Sequence, residues 1–305
     1  MLSGTAIAQL RTLSCRELMQ RALDVKLAQR GGKISLCSII NAKSGNCSED
    51  CRFCTQSAHY RTKTPVYPLK PAEEIVAAAC QAKEDGATHF SIVTSGKEVT
   101  AALLPRICEI IKAIRDQVDI SVCASLGLAT REDFLHLKAA GLSRYHHNLE
   151  TSKEFFPRVV TTHSFAQRVD TIKAAQESGL EVCAGGIIGL GENEDDRLSM
   201  ARTLAELGVD SVPLNILLPL PGTPMEKIAP LSINEILRAI ALFRLILPNI
   251  PLRLAAGRES ALGDFLGTAF MAGADGMMVG GYLTQRGRSP ETDRLFIDAV
   301  RRLWG

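Results

Sequence analysis

Cys47, Cys51 and Cys54 stand in the run NCSEDCRFCTQSAHY, spaced Cys-x3-Cys-x2-Cys, with an aromatic residue, Phe53, directly before the last sulfur. Three thiolates on one short loop can each bind one iron of a [4Fe-4S] cube and leave the fourth iron without a protein ligand, open to a small molecule. An open iron implies chemistry at the cluster. Zinc is the competing reading, but zinc sites commonly pair Cys-x2-Cys with a second pair of ligands downstream, and no such pair follows.

The chain that must position this loop is 305 residues long, enough to contain one α/β barrel of about 250 residues. Hydrophobic residues make up 46% of it, which supplies a large core. Basic and acidic side chains number 35 and 33, so there is no global field to attract nucleic acid or a membrane surface, and small-molecule partners are expected. Arg11, Arg16 and Glu17 interrupt the N-terminal segment before any long apolar run, which argues against a signal peptide. No stretch has the length and apolarity of a membrane-spanning helix. Nine cysteines, odd in number and unevenly spaced, suit metal ligands in the reducing cytoplasm better than a disulfide framework.

Short β-type runs alternate with amphipathic segments, the pattern of parallel βαβ units. Eight strands are expected, centred on 33–40, 88–95, 119–126, 142–149, 180–187, 210–217, 251–256 and 274–280. Thr130 with Asp133, Ser164 with Gln167, and Ser232 with Glu235 read as helix-capping boxes, and Pro71 as a first-turn residue. The expected fold is a complete (β/α)8 TIM barrel with an N-terminal helical extension. It forms a single domain over 1–305, with the extension at 1–32, the barrel at 33–280 and a C-terminal tail at 281–305.

Strand parity places chemistry inside this barrel, because alternate residues face opposite sides of a sheet. Ser121, Cys123 and Ser125 oppose Ile120, Val122 and Ala124; Glu181, Cys183 and Gly185 oppose Leu180, Val182 and Ala184. Arg144, His146, Asn148 and Glu150 share one face, as do Ser35, Cys37 and Asn41. A polar lining predicts a ligand cavity where an ordinary barrel is filled with Val, Ile and Leu. His146 and His147, being adjacent, are expected to point opposite ways, with His147 a packed structural residue. Cys37, Cys123, Cys183 and Arg253 fall on the first, third, fifth and seventh strands, and alternate strands supply one interior layer of four side chains. Together they can surround a second metal cluster. Buried free cysteine acting as a small hydrophobe is the plainer reading, and it fits Cys15, Cys80 and Cys108 on helices.

The cysteine triplet with its aromatic resembles that of the radical S-adenosylmethionine (SAM) enzymes. The set CSEDCRFCTQS at 47–57, VCAS at 122–125, RYHHNLETS at 144–152, VCAGGIIGLGE at 182–192, VPLN at 212–215 and LRLAAGRE at 252–259 resembles the biotin synthase family over nearly the whole barrel. The resemblance implies conversion of dethiobiotin to biotin by sulfur insertion between unactivated carbons. One cluster generates radicals from SAM and an auxiliary cluster supplies the sulfur. It implies that Cys47, Cys51 and Cys54 hold the SAM-cleaving [4Fe-4S] cluster. Phe53, Asn148, Glu150, Arg168, Gly185 and Ile187 would contact SAM, Asn148 and Asn215 would contact dethiobiotin, and Cys123, Cys183 and Arg253 would hold the auxiliary cluster. A flavodoxin or ferredoxin as electron donor and a homodimer are implied in the same way.

One departure from the family pattern matters most. Where the usual form carries a cysteine on the second strand, this chain has Ser91, while Cys37 on the first strand restores the thiol count. That substitution resembles a subgroup associated with anaerobes and a [4Fe-5S] auxiliary cluster; a [2Fe-2S] cluster is the alternative. Two rival functions are weighed against this reading. One is a different radical SAM enzyme on a similar barrel, such as the [FeFe]-hydrogenase maturase or methylornithine synthase, and Cys123, Cys183 and Asn215 argue against it. The other is a non-catalytic iron-sulfur protein, which would need neither the glycine-rich stretch nor the Asn/Glu pair.

Overall fold

Two helices precede the sheet: α1 (Gly4–Thr12) and α2 (Cys15–Arg30). The computed structural model describes residues 4–284 and 287–303, so residues 1–3 of the expected extension and 285–286 and 304–305 of the expected tail lie outside the described residues. Ser14 opens α2 by accepting from the Glu17 amide while the Glu17 carboxylate answers the Ser14 amide. Leu18, Ala22 and Lys26, four apart, form its buried face.

Strands and helices then alternate: β1 (Ser35–Lys43), α3 (Ala72–Glu84), β2 (His89–Thr94), α4 (Leu104–Gln117), β3 (Ser121–Ser125), α5 (Arg131–Ala139), β4 (Arg144–His146), α6 (Phe165–Glu177), β5 (Glu181–Cys183), β6 (Gly186–Ile188), α7 (Glu194–Leu207), β7 (Val212–Ile216), α8 (Ile233–Ile246), β8 (Leu252–Leu254), α9 (Arg258–Leu262), α10 (Leu266–Met271), β9 (Gly276–Met278) and α11 (Pro290–Arg302). Among the described residues the strands form one sheet in the order β5-β4-β3-β2-β1-β9-β8-β7-β6, with every pairing parallel. The architecture is α/β, a curled parallel sheet with helices on its outer face.

The expected fifth strand is two. It breaks at Ala184 and Gly185, so β5 pairs with β4 and β6 pairs with β7. A Cβ at Gly185 would lie 1.9 Å from the Pro213 carbonyl oxygen, so the backbones meet there closer than any side chain allows. The Gly185 carbonyl takes both the Leu149 and Glu150 amides, at 2.8 and 3.3 Å, which turns it out of a regular ladder. On either side of the break Cys183 bridges Ser211 and Gly186 bridges Glu150.

The three expected capping boxes are present, and Asn193 with Asp196 makes a further one on α7. Pro71 sits one residue earlier than expected, as the cap of α3, because its ψ of 147° is extended and the helix begins at Ala72. The C-terminal segment is more than a tail. Residues 282–284 border the interior cavity, and Ser289 caps α11, with Pro290 at its first position.

The apolar strand faces pack outward against the helices: Phe90 and Ile92 of β2, Val122 and Ala124 of β3, Leu252 and Leu254 of β8. Helix α8 meets them with Ile236, Ile240 and Phe243, all fully buried. Burying each such side chain contributes about 1.5–3 kcal/mol. Helix packing therefore takes up the aliphatic faces and leaves the polar parity to the interior.

Candidate active site

Three connected spaces run through the interior, and His146 borders all of them. The first lies under the cysteine loop. Cys47, Cys51, Phe53, Cys54, His146, His147, Asn148, Glu150, His163 and Arg168 line it. The loop is held by its neighbours: Cys47 N donates to Gln56 O and Ala58 N to Cys47 O, at 3.0 and 2.8 Å. Asp50 accepts from the hydroxyl and amide of Thr161 and then from the amide and hydroxyl of Thr162, which pushes its carboxyl down to about 2 against the upward effect of burial. Burial pushes the Cys51 thiol up, with Arg168 opposing, and takes the Cys54 thiol up to about 11. Without metal these thiols are neutral; iron, as a coordinating cation, would deprotonate them.

Glu150 adopts a left-handed φ of 69°, a strained geometry for a residue with a Cβ. It turns the carboxylate back beside Asn148, whose Nδ2 donates to Glu150 Oε2 at 3.3 Å. Burial raises the Glu150 carboxyl, and Arg168 and Asn148 hold it back. Arg168 is buried rather than exposed on its helix. Its Nε donates to His163 Nε2 at 2.9 Å, its Nη1 donates to the Asn148 carbonyl at 2.9 Å, and Nη1 lies 3.5 Å from Glu150. His163 Nδ1 faces the Glu49 carboxylate in a short contact. A relay of contacts thus ties the cysteine loop to the Asn148–Glu150 strand end. Glu49 and His163 were missed in the sequence, because residues 114 apart carry no spacing signal.

The second space is a cavity of about 300 Å³ bordered by Phe53, Asn148, Glu150, Ile187, Asn215, Met278 and residues 282–284 among others. Its volume is at the lower end for a small-molecule site. Asn215 Nδ2 donates to Gly186 O at 3.2 Å and its Oδ1 accepts from Ala256 N at 3.1 Å. One N–H and one lone pair remain for a ligand. Gly185 lies outside all three linings, and the close approach it permits is to Pro213 rather than into the cavity. His147 does border the first space although it was expected to point away. β4 ends at His146, so strict alternation does not extend to it.

The third space is the smallest, about 30 Å³. It brings together Cys37, Cys123, Cys183 and Arg253, the four expected interior residues, with His89, Ser91 and Arg144. Arg253 donates to Ser35 Oγ and Ser211 Oγ at 3.2 and 2.6 Å, and Arg144 clasps Glu181 through Nε and Nη2. Burial raises the thiol of Cys37, opposed first by Arg253. It takes Cys123 up to about 12, opposed first by Arg144. His89 is lowered to about 3 and His146 to about 4, chiefly by burial, so both are neutral. Arg144 could have been picked out, since it shares parity with His146 and Asn148. Among the described residues no three His, Cys, Asp or Glu side chains close on a point as they would around one metal ion. Three unpaired thiols with two guanidinium groups in one chamber fit an anionic polynuclear cluster.

Residues 42–204 match the Radical SAM superfamily, and residues 213–300 match the Biotin and Thiamin Synthesis associated domain. The chain is 49% identical to a biotin synthase of Pelotomaculum thermopropionicum over 91% of its length and 86% of that protein's. It is 48% identical to a biotin synthase of Thermotoga neapolitana, over 90% of this chain and 99% of the other. Among solved structures, methylornithine synthase superposes with a TM-score of 0.85 at 20% identity, over 98% of this chain and 93% of that one. The FeFe-hydrogenase maturase from Carboxydothermus hydrogenoformans gives 0.79 at 22% identity, over 93% of this chain and 71% of that one. Those two share the fold alone. With a matching superfamily domain and relatives near half identity over nine-tenths of its length, the chain belongs to the biotin synthase family of radical SAM enzymes.

Proposed function

We propose that the chain inserts sulfur into dethiobiotin to form biotin, using SAM and two iron-sulfur clusters. The observation that carries this reading is the second thiol chamber, which shares the His146 wall with the triplet cavity. When bound, the triplet's cluster supplies the electron that cleaves SAM and releases the 5′-deoxyadenosyl radical. Sulfur insertion replaces two strong aliphatic C–H bonds with C–S bonds, which no side-chain base can break, so the reactive species must come from a cofactor.

The protein's part is to hold and orient. Cys47, Cys51 and Cys54 hold the SAM-cleaving cluster. Phe53 and Ile187 supply apolar walls for SAM, Glu150 and Asn148 present polar atoms to its ribose, and Arg168 faces its carboxylate. Gly185 serves SAM indirectly, by letting the strands meet behind Asn148. Asn148 and Asn215 offer amide donors and acceptors to the ureido ring of dethiobiotin. Residues 282–284 form part of the cavity wall, tied down by Asn41 Nδ2, which donates to Leu283 O at 3.0 Å.

Cys37, Cys123 and Cys183, with Arg253 beside them, hold the auxiliary cluster. Ser91 in place of a cysteine favours the [4Fe-5S] form of the anaerobe-associated subgroup over [2Fe-2S]. The same reading makes the chain one domain, with 1–32 as an extension. It also makes the nine-stranded sheet a complete barrel, supported by the 181–188 segment, whose two halves form the two ends of the strand order. A homodimer, reduction by flavodoxin or ferredoxin and a cytoplasmic location complete it. The nine free cysteines suit that compartment, and no helix among the described residues is long and apolar enough to cross a membrane. The test is SAM cleavage by the reconstituted, reduced protein. Cleavage stimulated by dethiobiotin supports the reading, and cleavage indifferent to it points to another substrate.

A further inference from the structure

On β2, Phe90 and Ile92 face the helices, so His89, Ser91 and Val93 face the interior. Ser91 stands in register with Ile39 of β1 and with Cys123 of β3, and it lines the third space together with Cys37, Cys123 and Cys183. It is 7% exposed, and its hydroxyl has no hydrogen-bond partner. An unpaired buried hydroxyl is a net cost to the fold, one that alanine at the same place would avoid.

The chamber's own groups do little to relieve that cost. Arg144 and Arg253 can only donate, and thiols are weak acceptors. The two imidazoles of the chamber are each engaged elsewhere, His89 through Nδ1 with Thr88 Oγ1 and His146 through Nε2 with Asn148 Oδ1, both at 2.9 Å, and neither pairs with Ser91. What the Ser91 hydroxyl lacks is an anionic acceptor in the middle of the chamber. A cluster sulfide is such an acceptor, and hydrogen bonds to cluster sulfurs raise the reduction potential.

We propose that Ser91 donates its hydroxyl proton in a hydrogen bond to a sulfide of the auxiliary cluster and thereby sets that cluster's potential. Ser91 then acts as a positioning residue for the sulfur that is delivered, at the place where a cysteine would otherwise ligate iron. The inference rests on the proposed auxiliary cluster and holds for either nuclearity.

The full chain, reconstituted anaerobically, is compared with Ser91→Ala, Ser91→Thr and Ser91→Val. Midpoint potentials are read from EPR-monitored titrations, with iron and acid-labile sulfide counted per chain. Ser91→Thr keeps the hydroxyl and is expected to keep the auxiliary potential. Ser91→Val has nearly the same shape without the hydroxyl, and with Ser91→Ala it is expected to shift that potential negative while the triplet's cluster does not move. The Thr and Val pair decides the matter even where Ala loads poorly. Equal potentials for Thr and Val, with both clusters loaded, overturn the inference alone. A wild-type protein that holds iron for one cluster only overturns the two-cluster reading and this inference with it, and the iron count tells the two failures apart.

Discussion

Arg168 carries several contacts at once: it binds the Asn148 carbonyl, approaches Glu150 and donates to His163. Removing it leaves the buried Glu150 carboxylate without its cation, and unpaired buried charge is among the costlier local defects. Arg168→Ala should therefore weaken SAM binding at least about tenfold, a loss of about 1.4 kcal/mol or more, while iron at the triplet stays unchanged; anaerobic equilibrium dialysis with labelled SAM checks both. Cys47→Ala, Cys51→Ala or Cys54→Ala should each abolish SAM cleavage, because the cube then lacks one of three protein ligands. Measured 5′-deoxyadenosine at the wild-type level in any of them would contradict the assignment. The triplet was legible because its three cysteines sit in eight residues of continuous chain. The Glu49–His163–Arg168 relay was not, since folding alone brings those residues together.

At the level of elements, the break between β5 and β6 and the bridge made by Asn215 are the features with consequences. Gly185→Ala would drive a Cβ into the Pro213 carbonyl, with backbone on both sides and nothing flexible to give way. Overpacking costs about 1–3 kcal/mol in ordinary cores, so a drop in Tm of several degrees is expected from calorimetry. A Tm equal to wild type would show that the strands do not meet as closely as described. Asn215→Ala removes links to Gly186 and Ala256 and also the amide we propose for substrate binding. Weaker dethiobiotin binding with unchanged iron content is the expected result. Strand positions and helix caps were readable, because alternation and the Ser/Thr-x-x-acid or amide signal are local. The split of the fifth strand was not, because it depends on how closely a strand distant in sequence approaches.

On the scale of the molecule, helices cover the aliphatic strand faces and the interior is left for two thiol sites joined at His146. Parity alone placed Cys37, Cys123, Cys183 and Arg253 together, since one residue type recurring on alternate strands survives any small error in strand ends. The place of residues 282–284 in the cavity wall was hidden, because no periodicity marks an irregular segment that returns to line a cavity. With two cubane-type sites loaded, iron should approach about eight per chain. Cys37→Ala should lose only the auxiliary share and retain SAM cleavage, as read by Mössbauer spectroscopy.

The most direct measurement is biotin itself, quantified by mass spectrometry after the anaerobically reconstituted two-cluster protein is given SAM, dethiobiotin and a low-potential reductant. Biotin from the wild type, with none from Cys37→Ala although that variant still cleaves SAM, is the predicted result. No biotin from wild-type protein loaded with both clusters, or undiminished biotin from Cys37→Ala, would contradict the account.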